Sequence, residues 1–342
     1  MRKVAQFVLA MTVLASCMKE EIPIEPRPRP GGDTGIDTSG NDTADFNTSL
    51  QFSIVDMGNG YPNQLYFSLN DNEVVSLIGR EEWDIAFKND AETGLVVLNN
   101  AQAMSGWKSN YNSLESAIDS TGYGLGKKIE VAAELYDDPV LGDLSGVYLI
   151  DLGFSEFGLP LGAYWIEFPE INPNGYEIRY KKYGQTNIVE RLITKNVDTE
   201  FVLYSIKNDL ILQEPPSGDW DLKFTRYISI LTGDNFEIPY SVTGVILNSY
   251  QTSATEFSSK PFGEIDLSDA QSIDLSSAPD VIGFDWKNFE LTDGTSGTYT
   301  VETDRSYIIK NSLGLYYKLR FLGFYGEGGY SGEPSFEYQL LL

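Results

Sequence analysis

Trp83-Asp84-Ile85-Ala86-Phe87 is written a second time as Trp220-Asp221-Leu222-Lys223-Phe224, 137 positions later (83 to 220). An acidic residue precedes each tryptophan, Glu82 and Asp219. The echo continues downstream. Leu98-Asn99 returns as Leu247-Asn248, 149 positions on (98 to 247), and Tyr176-Glu177-Ile178-Arg179-Tyr180 returns as Tyr317-Lys318-Leu319-Arg320-Phe321, 141 positions on (176 to 317). Three matches in one order at similar offsets read as a diverged internal duplication. The expected architecture is two similar β lobes, about 50–205 and 206–342, inside one unit spanning 49–342. Side chains alternate along a strand, so residues 83, 85 and 87 are expected to point inward together, as are 220, 222 and 224. Trp83, Phe87, Trp220 and Phe224 are thus expected in the core. Asp84 and Asp221 are expected to face away from it, solvated or bonded to a neighbouring turn.

Outward from these motifs the chain reads as short strands and turns. Gln64 to Leu69 alternates, Asn70-Asp71-Asn72 turns, and Val74 to Ile78 alternates again. Leu95-Val96-Val97-Leu98 is continuously apolar, as in a strand buried on both faces. Asn172-Pro173-Asn174-Gly175 marks a hairpin turn between Ala163 to Phe168 and Tyr176 to Tyr183. The chain ends in apolar Gln339-Leu340-Leu341-Leu342, expected as a docked terminal strand. Short helical pieces are expected over Ser113 to Ile118, Ile129 to Tyr136 and somewhere within Ser258 to Asp280. The class is all-β, with antiparallel sheets and few short helices.

Composition bounds the function. The chain has 342 residues, 24 Lys and Arg against 50 Asp and Glu, and a net charge of −26. Such a surface repels phosphate backbones, so nucleic acid is not an expected partner. There is no histidine. That removes the usual general base, the Ser-His-Asp triad and the His-Glu-x-x-His zinc site, and the protein is not expected to be an enzyme. Thr121 to Lys128, Thr-Gly-Tyr-Gly-Leu-Gly-Lys-Lys, lacks the glycine spacing and hydroxyl of a phosphate loop and reads as a glycine loop. Asp71-Asn72-Glu73 and Asp293-Gly294-Thr295 offer oxygens to calcium but spell no full ligand loop, so turns are the expectation.

The N-terminus carries an address. Arg2 and Lys3 precede the largely apolar Val4 to Leu14, which is too short to span a bilayer. Leu14-Ala15-Ser16-Cys17 then resembles the lipobox of bacterial lipoproteins. The resemblance implies a signal peptide over 1–16, cleavage before Cys17, acylation of that sole cysteine and an outer-membrane lipid anchor. The loss of Arg2 and Lys3 leaves the mature chain at a charge of −28, two below −26. Met18-Lys19-Glu20-Glu21 resembles a surface-export signal, which implies a domain facing the cell exterior. Residues 17–48 are a linker. Pro23, Pro26, Pro28 and Pro30 stiffen its start, and a Gly, Asp, Thr, Ser and Asn stretch follows that is too polar to bury a core. Asp42-Thr43-Ala44 within it resembles a glycosylation sequon of Gram-negative envelopes, although plain linker accounts for it.

Taken together, Trp83 to Phe87, Trp220 to Tyr227, and the run from Tyr316-Tyr317-Lys318-Leu319-Arg320-Phe321 to Phe336-Glu337-Tyr338-Gln339-Leu340 resemble the HmuY family of surface haem-binding lipoproteins. The resemblance spans about Gln51 to the C-terminus. It implies an all-β fold, capture of haem or a haemoprotein, and hand-over to an outer-membrane transporter. The family grips haem iron between two axial side chains, histidines in the founding pattern and methionines in others. Its first ligand follows the Trp-Asp motif, where this chain has Lys88 in one copy and Thr225 in the other. With no histidine, Met104 and then Met57 are the axial candidates, since haem iron accepts thioethers. Met104 is preferred because Ala101 to Gly106 is a small-residue loop that a flat ligand can approach. The alternative function is a surface adhesin or glycan- or protein-binding module that has lost haem.

Overall fold

The structure is a computed structural model that describes residues 20–21, 47–89, 94–233, 236–291 and 296–342. The expected signal peptide, Cys17, Met18, Asp42-Thr43-Ala44 and Asp293-Gly294-Thr295 lie outside the described residues. Among the described residues no helix is long and apolar enough to cross a membrane.

The fold is all-β. Four of its sheets are stacked, and each gap in the stack is filled by one set of apolar side chains. Ile85–Lys88 and Val96–Leu98 form a four-stranded sheet with the hairpin Phe201–Ser205 and Leu210–Gln213. Ile85, Phe87, Val202 and Tyr204 on one face of it meet Ile150, Ile166, Tyr176 and Ile178 of a six-stranded outer sheet. Leu222–Gly233 and Phe236–Leu247 form the matching four-stranded sheet with the hairpin Asn63–Ser68 and Glu73–Gly79. There Leu222, Phe224, Leu65 and Phe67 meet Tyr317, Leu319, Phe336 and Tyr338 of a five-stranded outer sheet. The two four-stranded sheets face each other across a third cluster, which holds Trp83, Trp220, Tyr66, Ala86, Phe201 and Leu203.

Both tryptophans are buried, Trp83 at 6% and Trp220 at 3% exposure. Removing such a side chain from a core costs about 3 kcal/mol or more. The alternation expected across the motif is corrected, however. The strand begins at Ile85, after a bend at Asp84. Ile85 and Phe87 therefore point to the outer sheet, while Trp83 turns with Ala86 to the inner gap. The second copy does the same, with Leu222 and Phe224 outward and Trp220 inward. The two tryptophans thus share one cluster.

The hairpins are exchanged. Asn63–Ser68 and Glu73–Gly79 directly precede the first Trp-Asp motif in sequence but pair with the second, Phe67 opposite Leu222. Phe201–Ser205 and Leu210–Gln213 precede the second motif and pair with the first, Tyr204 opposite Ile85. Shifting Phe67 and Ile85 by 137 gives Tyr204 and Leu222, so the two pairings share one register.

Most expected strands are present, among them Ala163–Asn172 and Gly175–Lys182 joined at the Asn172–Gly175 turn, and Tyr316–Tyr325 against the terminal Ser331–Leu341. Helix is scarcer than expected. The first two helical segments shrink to the single 3-10 turns Leu114–Ser116 and Ala132–Glu134. The third is the α-helix Leu267–Gln271, begun by a capping box between Asp266 and Asp269. The glycine loop holds one turn of helix, Tyr123–Gly126. Asn72 makes its expected turn at φ +56°.

Candidate functional site

Each Trp-Asp motif builds the same bonded corner. Asp84 N–H donates to the Tyr204 carbonyl and Asp221 N–H to that of Phe67, both at 2.9 Å. Asn99 N–H donates to the Asp84 carbonyl and Asn248 N–H to that of Asp221, again at 2.9 Å. The Asn99 amide donates to Arg80 O at 2.7 Å and Trp83 O at 2.9 Å. The Asn248 amide donates to Ser217 O at 2.7 Å and Trp220 O at 2.8 Å. Both aspartates are buried, not solvated as one expectation allowed, and both bond a neighbouring turn as the other held. Asp84 accepts from Ser205 and from the Lys207 N–H, each at 3.3 Å, and Asp221 from the Leu69 N–H at 2.8 Å. Burial pushes the Asp221 carboxyl up to about 6. The sequence displays the Leu-Asn echo, but its role as a double carbonyl clasp appears only in three dimensions.

Between the two inner sheets lies a crevice of about 40 Å³. Trp83, Trp220, Phe201 and Tyr136 line its apolar walls, with Gln64, Glu200, Glu214 and Lys223 as polar members. Two buried acids organise it. Glu200 accepts from Lys88 Nζ at 3.0 Å and the Tyr136 hydroxyl at 2.6 Å. Glu214 accepts from the Tyr66 hydroxyl at 3.0 Å, with Lys223 Nζ at 3.9 Å. Burial, and then the Glu214 charge, hold the Tyr66 hydroxyl well above its ordinary range. Burial carries the Glu214 carboxyl to about 7, against the opposing pull of Lys223. The Lys88 ammonium lies 5.0 Å from the Tyr136 ring, 5.5 Å from Phe201 and 5.3 Å from Tyr250, within cation–π reach. The position after the first motif therefore opens onto an aromatic, charged pocket. Its counterpart Thr225 is buried and accepts from Gln64 at 2.9 Å.

The methionine candidates are not brought together. Met104 packs with Ile85, Phe87 and Ile150, and Met57 with Leu65, Phe67 and Phe336. Both are 0% exposed and belong to different clusters. In this conformation each fills a core, and the two do not face across a common space. Among the described residues no group of three or more Cys, Asp or Glu side chains is placed to hold a metal ion.

The profile of the HmuY protein family matches residues 60–338, which include both Trp-Asp motifs. The chain belongs to the HmuY family. No curated protein matches it. Two solved structures align over most of its length at low similarity. One is a HmuY-like haem-binding protein from Bacteroides vulgatus, at 11% identity and a TM-score of 0.24, covering 85% of this chain and 92% of the other. The second is apo PinO from Porphyromonas gingivitis, at 10% identity and a TM-score of 0.28, covering 86% and 98%. The family match stands without them.

Proposed function

We propose that this chain is a non-catalytic binding protein that captures haem or another flat hydrophobic ligand, and that the crevice between the inner sheets is where the ligand enters. The family match over 60–338 carries the reading. The crevice supports it locally, because aromatic walls with a few placed polar groups are what a planar ligand needs. At about 40 Å³ the crevice has room for water and not for a tetrapyrrole, so entry requires the sheets to part. The lipobox-like Leu14 to Cys17 supports an outer-membrane lipid anchor, and Met18 to Glu21 supports an outward-facing domain. A haemoprotein donor and an outer-membrane transporter are its expected partners. We also infer that the shared register of the exchanged hairpins descends from an internal duplication. Titration of the soluble protein with haemin tests the ligand. Binding shifts the Soret band at micromolar protein, and no shift in either oxidation state removes haem.

A second reading has one observation in its favour. Phe157 and Leu159 stand 74% and 63% exposed on one loop tip, an apolar contact offered to a partner at the surface. This suits the adhesin or glycan-binding alternative. Affinity for a glycan or host protein without haem binding, lost in Phe157→Ser, selects it.

A further inference from the structure

We infer that the hairpin of residues 200–214 is the moving leaf of the crevice, and that a proton on Glu214 keeps the leaf shut. The inference rests on the crevice being the ligand's entrance and adds the regulation of that site. The geometry comes first. Glu200 and Glu214 lie close together, because Val202 pairs with Gln213, which sets Glu214 opposite Phe201, the residue next to Glu200. One tie runs within the hairpin's own sheet and one runs across the gap. Glu200 reaches Lys88, at the end of Ile85–Lys88, and Glu214 reaches Tyr66 and Lys223, in Asn63–Ser68 and Leu222–Gly233. Glu214 therefore bridges the gap between the two sheets, while Glu200 secures the hairpin to its own sheet. Trp83 and Trp220 lie directly behind them in the same crevice.

The ties are unequal. The Glu200 pair is a short charge-assisted hydrogen bond, whereas Lys223 stands 3.9 Å from Glu214, beyond hydrogen-bond length. The second carboxylate oxygen of Glu214 is buried with no hydrogen-bond partner among the described residues. A full negative charge there is poorly compensated. The groups facing Glu214 are Tyr66 and Lys223 from the opposing sheet, Glu200 and the Phe201 N–H from its own hairpin, and beyond Glu200 the Tyr136 hydroxyl and Lys88. Only Lys223 and the hydrogen bonds favour the charged form, while burial and Glu200 oppose it.

The sign follows. Closed, Glu214 titrates at about 7; with the leaf lifted into water it returns toward its ordinary 4.5. The closed form holds the proton more tightly, so acid favours closure and rising pH favours opening. Between those two values the open fraction grows tenfold per pH unit, and above 7 it levels off. From pH 5.5 to 8.5 the increase is roughly 30-fold. Proton loss thus admits the flat ligand to the tryptophans, and acidification seals them.

The test needs no ligand. Amide hydrogen exchange of residues 83–88 and 201–205, corrected for intrinsic rates, is compared with residues 316–325 of the outer sheet from pH 5.5 to 8.5. The expected result is a roughly 30-fold rise in opening of the first two segments alone, abolished in Glu214→Gln. Lys223→Met removes the cation that favours the carboxylate, so the rise extends to higher pH; this variant decides the matter where Glu214→Gln does not fold. A wild-type opening flat with pH overturns the inference, as does an unchanged rise in Glu214→Gln or an unshifted one in Lys223→Met. Haemin titration is run separately. Gating without haemin binding removes the haem reading and leaves the gate.

Discussion

Asn99 and Asn248 each satisfy two buried carbonyls, so neither is replaceable by a shape-matched apolar residue. Asn248→Leu leaves both acceptors unpaired, whereas Asn99→Leu leaves Arg80 O unpaired and Trp83 O still held by the Gln102 amide at 2.6 Å, at about 1–3 kcal/mol for each acceptor lost. Urea unfolding is expected to show a loss of about 2–4 kcal/mol for Asn248→Leu and a smaller one, about 1–3 kcal/mol, for Asn99→Leu. Equal losses in the two variants would mean that Gln102 does not hold Trp83 O in place of Asn99. Glu130 is a second residue whose surroundings decide its behaviour. Its carboxylate accepts from the Leu98 N–H at 2.9 Å and the Val140 N–H at 3.3 Å, and among the described residues no cation pairs with it. Burial lifts it to about 8 from an ordinary 4.5. The folded chain therefore binds this proton more tightly than the unfolded chain does. Its stabilising share is complete below about 4.5 and is lost as pH rises through about 8. Thermal melts of the wild type are expected to fall between pH 5 and 8.5, and Glu130→Gln is expected to flatten that slope. A Glu130→Gln slope equal to wild type would place the burden on other carboxyls.

At the scale of elements, the exchanged hairpins bind the two halves into one folding unit. Without residues 63–79, strand Leu222–Gly233 keeps Phe236–Leu247 but loses its other neighbour, and Gln51–Ile54 pairs with the terminal Ser331–Leu341. A chain cut after residue 216 should give two fragments that do not fold separately and that regain cooperative unfolding when mixed. Circular dichroism of each fragment checks this, and a cooperative melt of residues 217–342 alone would refute it. Much of the element plan was legible. Alternation and turn residues placed Ala163–Asn172, Gly175–Lys182 and Tyr316–Tyr325, because those signals are local. The face taken by Trp83 was not legible, since the bend at Asp84 is set by its bond to Tyr204, 120 positions away (84 to 204). Ser105–Lys108 hid behind Gly106, a residue poor in strand propensity that lies against Val140 and Ile150 in the fold. The exchange of hairpins had no local mark, for each lies next in sequence to the motif it does not pair with.

Over the whole molecule, three apolar gaps separate four sheets, and the central gap differs from the outer two. The outer gaps are filled by aliphatic and aromatic side chains, while the central one carries Glu200, Glu214, Lys88 and Lys223 beside two tryptophans. Buried charges cost stability in a closed core, and this cluster of four supports the proposal that the central gap is the one that opens. The candidate site was half legible. Lys88 was noted only as the residue standing where the family's first ligand falls, and Glu200, Glu214, Tyr66 and Tyr136 come from separated segments that no spacing joins. Met104 and Met57 drew notice as sulfur ligands, although an unbranched thioether more often fills a core, which is where both lie. The most direct measurement is hydrogen exchange with and without haemin. The account predicts protection of residues 83–88, 200–205 and 214–224, which line the central gap. Protection confined to the outer sheets, at residues 163–182 or 316–341, would contradict it.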